Sequence, residues 1–403
     1  MGDEEAARLV SHAHPPCKAS AVRVCLVFDC LYPHSVGGGE RWYRALAEGV
    51  AARGHEVTYL TLLNWDPKVG PGVPEVAVVA VAPEMSIYSG DRRSLRAQLR
   101  FALGVFLHLL RHGERYDVVQ TPALHLSLLA VLAARPFQRF GLVVDWFEVW
   151  RREYWLEYLG PLWGRLGWLG QRLTARSRHA ALCFSRLHAE RLRELGYRGS
   201  ITLIEGLREF DSRELEPAPA EPVVVFAGRH IPEKRAASIV PAVALARETL
   251  PGLQAEIFGD GPERQRVLQL IDELGLEGSV AALGFADAEH VQETLRHALC
   301  LVHPSSREGY GIVVVEASAL GTPAVVVAGP DNAATELVEE GENGFVAASA
   351  APRDLADAIL RVHAAGQALR DSTREWFGRN RERLSLETSI ETVIGVYRGA
   401  SSR

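Results

Sequence analysis

Methionine and cysteine are scarce in this 403-residue chain, with two of the first and five of the second. The cysteines (Cys17, Cys25, Cys30, Cys183 and Cys300) are odd in number and scattered, and no CxxC pair occurs. That pattern provides neither a disulfide framework nor a zinc site and suits a reducing compartment. Long apolar runs are also missing: stretches such as FALGVF at 101–106 are far too short to span a bilayer. The opening MGDEEAARLVSHAHPP is acidic and has no signal-peptide core, so residues 1–20 read as a flexible tail on a cytoplasmic protein. Positive charge is not in excess, since 44 Lys and Arg against 50 Asp and Glu leave a net −6. No nucleic-acid partner is therefore expected, and an anionic ligand must be held locally. The GxGxxG fingerprint is absent as well, because GDGPER at 259–264 lacks the third glycine. This argues against a nicotinamide dehydrogenase.

What is present is ordinary globular chemistry, 47% hydrophobic and 23% charged, at a length that predicts two domains. The second half alternates regularly. PVVVFAG (222–228), QAEIFGDG (254–261), SVAALGF, LCLVHPSS and PAVVVAG (323–329) read as buried strands. Helical stretches at 236–250, 262–275, 287–298, 333–340 and 352–365 separate or follow them. AVRVCLVFD (21–29), HEVTYLTLL, PEVAVVAVA, YDVVQTP and GLVVDWF (141–147) repeat the scheme less evenly in the first half, with helices at 92–111 and 160–176. REFDSRELEPAPAE (208–221) has charge and proline without periodicity and reads as a linker. The fold class is α/β: two doubly wound, Rossmann-like domains facing across a cleft, where ligands bind in such sheets. GIVVVEA (311–317) is strand-like on propensity, yet it lies between two strands that must be parallel neighbours. Parallel neighbours need a crossover, so a helix is expected from near Gly311.

Three stretches carry chemistry. In SSREGYGIVVVEA, Glu308 lies at a strand's C-terminal edge, and Gly309 and Gly311 let backbone N–H groups approach a ligand. The helix N-terminus behind them suits a phosphate. Glu316, about a turn and a half further on, can accept from a diol such as ribose. AGRHIPEK (227–234) puts Arg229 and Lys234 at the same sheet edge, a pairing suited to a diphosphate. VGGGER (36–41) offers an anion or backbone-contact loop before the first helix. Each has a plainer reading as well: a helix-end charge, a solvated face residue, two loop cations and a surface turn.

Taken together, HPSSREGYGIVVVEASALGTPAVV, AGRHIPEK, FGDGPE and ENGFV (342–346), in this order, resemble the retaining nucleotide-sugar glycosyltransferases of the GT-B fold, family 4 type (glycosyl transferases group 1). The E-x7-E spacing of Glu308 and Glu316 is the most specific element. The resemblance covers most of the second half and more thinly the first. It implies an N-terminal acceptor domain (21–207), a linker (208–221), a nucleotide-sugar domain (222–382), and a final helix within 383–403 that returns to the first domain. It implies that Arg229 and Lys234 bind the donor diphosphate, with Gly259 in the mid-domain turn. Glu316 would hold the ribose and Glu308 the sugar near the reacting carbon. Amides at Tyr310, Gly311 and Ile312 would join the phosphate site, and Gly38 and Gly39 would close over donor or acceptor. One departure stands out. Where the family has a histidine at the end of a first-domain strand, VVDWFEVW places Asp145, making Asp145 and Glu148 candidates for sugar or acceptor hydroxyls; a helix-capping Asp145 is the other reading.

The implied partners are a UDP- or GDP-sugar donor and a small-molecule, glycan or lipid-linked acceptor. The nucleotide sugar acts as co-substrate, and no metal or other cofactor is expected. Rival readings are a catalytically inactive nucleotide-sugar-binding homologue, or a GT-B phosphorylase or epimerase. RRSLRAQLRFALGVFLHLLRHGER (92–115) and the Trp-rich 150–170 segment either lie on anionic lipid, giving peripheral contact at the inner membrane surface, or pack on their own sheet or an acceptor pocket.

Overall fold

The computed structural model describes residues 21–401 except Val36, Pro67, Ile87, Gly90, Asp91, His125 and 211–217. The expected tail, the centre of the expected linker and residues 402–403 lie outside the described residues. Two parallel sheets organise the chain. The first orders β3-β2-β1-β6-β7-β8-β9: β1 (Arg23–Val27), β2 (Glu56–Leu62), β3 (Ala77–Ala82), β6 (Val118–Pro122), β7 (Gly141–Trp146), β8 (Ala180–Cys183) and β9 (Ile201–Leu203). β4 (Tyr88–Ser89) and β5 (Arg92–Arg93) form a small antiparallel pair beside it.

Helices cover both faces of this sheet, which is why its strands are mostly apolar. α1 (Gly38–Ala52) packs on one face with α11 (Leu386–Ser401), through Trp42, Leu46, Val393 and Tyr397. α2 (Leu95–His112), α3 (Leu126–Ala134), the end of α4 (Arg152–Ala175) and α5 (Arg186–Glu194) cover the other, through Phe101, Val131, Ala175 and Leu192. The last helix thus returns onto the first sheet.

The second sheet orders β12-β11-β10-β13-β15-β17. Its strands are β10 (Val223–Ala227), β11 (Gln254–Phe258), β12 (Val280–Gly284), β13 (Cys300–His303), β15 (Ala324–Val327) and β17 (Gly344–Ala347). The connections carry α6 (Ile239–Arg247), α7 (Arg264–Glu273), α8 (Ala288–His297) and α9 (Ile312–Ala319), and α10 (Pro352–Asn380) follows the last strand. β14 (Arg307–Glu308) and β16 (Asp331–Asn332) pair in parallel outside the main sheet. GIVVVEA is a helix, as its position requires. Gly311 caps it at φ 104°, and Val313–Val315 are buried. Crossover topology overrides a β-propensity difference of a few tenths of a kcal/mol per residue.

The helix expected at 160–176 is present, and a further helical arm that was not expected precedes it within α4. Gly160 takes a non-helical φ of 79° ahead of Pro161, and the helix folds back on itself. Gln171 bonds the Trp150 backbone at 3.0 and 2.8 Å. Along a straight helix those two residues would be about 31 Å apart. Gly164 and Gly167 lie directly against Trp155, so a side chain at either would collide with it. The result is a helical hairpin with arms 152–159 and 161–175.

Candidate active site

Lys234, Glu308 and His303 form one cluster at the C-terminal edge of the second sheet. Lys234 ends a short 3-10 turn (Pro232–Lys234) after β10, and its Nζ pairs with Glu308 Oε2. His303, the last residue of β13 and buried, lies with Nε2 2.8 Å from the same oxygen. A carboxylate only accepts, so Nε2 carries the hydrogen. Burial pushes the imidazole below its ordinary pKa, against the pull of Glu308, so it is a neutral donor at pH 7. Burial alone would raise the Glu308 pKa; the Lys234 charge and the hydrogen bonds from His303 and Lys234 outweigh it and hold the carboxyl well below the usual range. Ser305 Oγ stands 3.1 Å from the same His303 nitrogen.

The first domain reaches this cluster through the segment after β7. Arg307 Nη1 bonds Glu148 Oε2 at 3.2 Å, and Trp150 Nε1 donates to that oxygen at 2.6 Å. The Arg307 guanidinium lies over the Tyr154 and Trp150 rings, 3.1 and 5.0 Å from their centroids. Tyr154 hydroxyl donates to Glu233 at 2.8 Å, one residue from Lys234. Burial raises the Glu148 pKa, while Arg307 and Trp150 pull it down and the nearby Glu308 charge adds to the rise. Glu148, expected to face hydroxyls of sugar or acceptor, has one carboxylate oxygen taken by Arg307 and Trp150 where the two domains meet. Further along the same seam, Arg151 and Arg191 pair with Asp331 at 2.8 and 2.7 Å. Glu336 accepts from the backbone of Arg186 and Leu187.

Other expected residues are placed as follows. Arg229 follows β10 and is exposed, at the edge from which the Lys234 turn departs. Glu316 sits on α9 with Arg208 Nη1 3.6 Å away. Arg208 opens the expected linker, yet its backbone bridges to Ser385 and accepts from Leu386, stitching the first crossing to the second. Ile312 begins α9, where the Val314 N–H of the first turn is already bonded to the Gly311 carbonyl at 2.9 Å. Tyr310 is buried, and its hydroxyl donates to the Glu205 carbonyl, so the ring anchors the loop to the crossing segment.

Two expectations change, those for Asp145 and for Gly38 and Gly39. Asp145 is fully buried at the end of β7, its two oxygens each 2.8 Å from Gln120 Nε2. It reaches neither a ligand nor a helix end, because Gln120 and the Tyr397 hydroxyl behind it close that side. Its pKa is pushed up to about 7 by burial, against Gln120 and the Tyr43 and Trp42 polar groups, both of which face it outside hydrogen-bond geometry. Gly38 and Gly39 are the first residues of α1 itself, not a loop before it. The Glu40 carboxylate folds back over Gly37 and accepts from Ser35 at 3.3 Å. An acid already meets that helix end, which disfavours a phosphate there. Space around Gly38 is open. Gly259 and Gly309 are explained by close packing of backbone. Gly259 has φ 114° and abuts the Gly228 carbonyl, and a Cβ on Gly309 would stand 2.6 Å from the Phe147 carbonyl of the first domain.

Sequence reasoning missed His303, Arg307 and Arg208. His303 lies in the HPSS stretch, and its place at a strand end five residues before Glu308 is the signal that marks it.

Two family models match the chain: a glycosyl transferase 4-like domain over residues 37–205 and glycosyl transferases group 1 over 208–380. The chain belongs to the group 1 glycosyltransferases. It is 29% identical to the alpha-D-kanosaminyltransferase of Streptomyces kanamyceticus, over 88% of this chain and 98% of that protein. Its match to a Streptomyces coelicolor exopolysaccharide phosphotransferase, 36% identical over 34% of this chain, spans only 14% of that relative. In fold it resembles the sucrose-phosphate synthase of Thermosynechococcus elongatus, with a TM-score of 0.79 at 22% identity over 94% of this chain and 98% of that one. It also resembles Anabaena HepE solved with UDP-glucose, with a TM-score of 0.73 at 20% identity over 95% and 100%. The architecture is GT-B, and the group 1 glycosyltransferase is an enzyme of sugar transfer. Among the described residues no helix is long and apolar enough to cross a membrane.

Proposed function

We propose that this glycosyltransferase moves a sugar from a nucleoside diphosphate, UDP or GDP, to an acceptor hydroxyl with retention of anomeric configuration and without a metal. The observation that carries the reading is the Lys234–Glu308–His303 cluster beside the α9 N-terminus, with Arg229 on the same edge. The UDP-glucose complex of HepE, a protein of the same fold, supports a nucleotide-sugar donor.

In this reading the bond between the anomeric carbon and the β-phosphate oxygen breaks, and the acceptor oxygen bonds that carbon on the same face. The acceptor proton passes to the departing phosphate. Negative charge grows on the diphosphate, where Lys234, Arg229 and the N–H groups of Tyr310, Gly311 and Ile312 lie ready. Preorganised donors of this kind contribute about 2.7–4 kcal/mol each. Glu308, kept ionised by its neighbours, accepts from a sugar hydroxyl, and Glu316 with Arg208 faces the ribose. Glu148 stands across the cleft on the acceptor side. A thermal-shift panel of UDP, GDP and their sugars tests the donor: ligand at about 100 times its Kd should stabilise by about 2.7 kcal/mol. Anomeric NMR of the product tests retention. No shift with any nucleotide, or an inverted product, would sink the proposal.

A further inference from the structure

The α4 hairpin turns an apolar face away from the protein. On its second arm Leu162, Trp163, Leu166, Leu169 and Leu173 are 46–66% exposed. At 100° per residue they fall in one stripe about 120° wide. α2 repeats the feature. Ala97, Phe101, Val105 and Leu109 face the core, yet Leu95, Leu99, Leu103 and Leu107 form a second apolar row on the outside. A helix serving only its own sheet needs one apolar face. Both helices lie on the same side of the first sheet, opposite α1 and α11.

Charge says what covers them. From Arg92 to Gly113 there are five arginines and no acid, and from Pro161 to Arg178 four arginines and no acid. The whole chain carries 50 acidic residues and a net charge of −6, so these two runs invert its sign locally. Arg96, Arg100 and Arg165 are exposed on these helices, and Arg176 and Arg178 are exposed just past the end of the outer arm. Leucine rows edged by arginine, with an exposed tryptophan, match the interface of an anionic bilayer: apolar side chains enter, indoles sit at headgroup depth, and guanidiniums meet lipid phosphates.

We infer that the hairpin's outer arm and the outer row of α2 seat this enzyme on an anionic lipid bilayer. The inner arm explains why the seat lies here. Its Tyr154 contacts Glu233 and Arg307 at the cleft. The outer arm packs on it across glycines, so lipid would lie about one helix diameter, ~10 Å, from the cleft wall. An amphiphilic acceptor held in that bilayer would present its headgroup at the cleft mouth.

The test pellets full-length protein with vesicles of phosphatidylcholine alone, or mixed with phosphatidylglycerol. Binding is expected to the mixed vesicles, weakening as salt rises. The Trp163→Glu, Leu166→Glu, Leu169→Glu triple variant should partition at least about tenfold more weakly with its melting temperature unchanged. Protein that stays in the supernatant at low salt, or binds neutral vesicles equally, overturns the inference. A triple variant that pellets like wild type does so too, as does a wild-type dimer that the variant dissociates, since that face would then belong to a second copy. Leu99→Glu with Leu103→Glu on α2 carries the same test should the triple variant misfold. Vesicle binding needs no donor, so its failure is distinct from failure of the transfer reading.

Discussion

His303 and Lys234 act on one oxygen of Glu308, a neutral donor at 2.8 Å and a cation beside it. Neither reaches Oε1. The carboxylate is therefore fixed in rotation and charge by its two partners, with its second oxygen left for other work. Losing either partner should have a different signature. Lys234→Ala removes a charge that the departing diphosphate needs, and kcat should fall roughly 10²–10³-fold. Turnover near wild type in a steady-state assay would exclude that role.

His303→Ala acts only through Glu308, so its cost should be smaller, about tenfold in kcat/KM, consistent with one lost hydrogen bond to a charged group. His303→Gln keeps an N–H donor near the same place and should recover part of that loss. If Gln and Ala were equally impaired, His303 would be filling space and not positioning the carboxylate. Nucleotide-induced thermal shifts should survive in both variants, since the diphosphate contacts are elsewhere.

Much of this cluster could be read from residues, and the part that could not has a physical reason. E-x7-E spacing and the PEK turn are local, so Glu308, Glu316 and Lys234 could be placed on one sheet edge once the strands were counted. α9 was legible against its own valines because topology forbids a strand between parallel neighbours. β8 and β9, four and three residues long, carry too little pattern to stand out. Asp145 misled because polarity at a strand end looks the same whether solvent or Gln120 waits beyond it; its burial depends on α11, more than 240 positions away in sequence. Arg208 was hidden by its setting of charge and proline. The α4 hairpin was hidden because Gly160 and Pro161 read as the start of a helix, and only the Gln171–Trp150 bonds reveal the arm folded against it.

Arg208 and Glu316, 3.6 Å apart, link the interdomain crossing to α9. Under the proposed donor pose, Glu316 accepts from ribose hydroxyls while Arg208 orients it. Glu316→Gln should weaken binding of a ribonucleoside diphosphate by about tenfold, and weaken its 2′-deoxy analogue much less. Arg208→Ala should act in the same direction, and the double variant should fall short of the sum, with a coupling on the order of 0.5–3 kcal/mol for contacting residues. Calorimetric titration of the four proteins measures it. Additive effects, or equal losses for ribose and deoxyribose, would remove Glu316 from the ribose site.

Asp145 makes a prediction about stability against pH. Burial lifts its pKa from an ordinary 3.8 to about 7, so between those values the folded chain holds a proton that the unfolded chain has released. Stability conferred by the protonated form is fully present at acid pH. It drains away as pH rises through the window from about 4 to about 7, at a rate on the order of 1 kcal/mol per pH unit, and stays low above it. Asp145→Asn keeps the shape and an oxygen for Gln120 to bond while abolishing the titration. Denaturant unfolding of both proteins across this range should show the wild type losing ground steadily to the variant up to neutral pH, with the gap constant beyond. Other titrating groups cancel in the difference. Parallel profiles at every pH would mean that Asp145 stays ionised in the fold, with Gln120 and the Tyr43 and Trp42 groups around it strong enough to hold a buried charge.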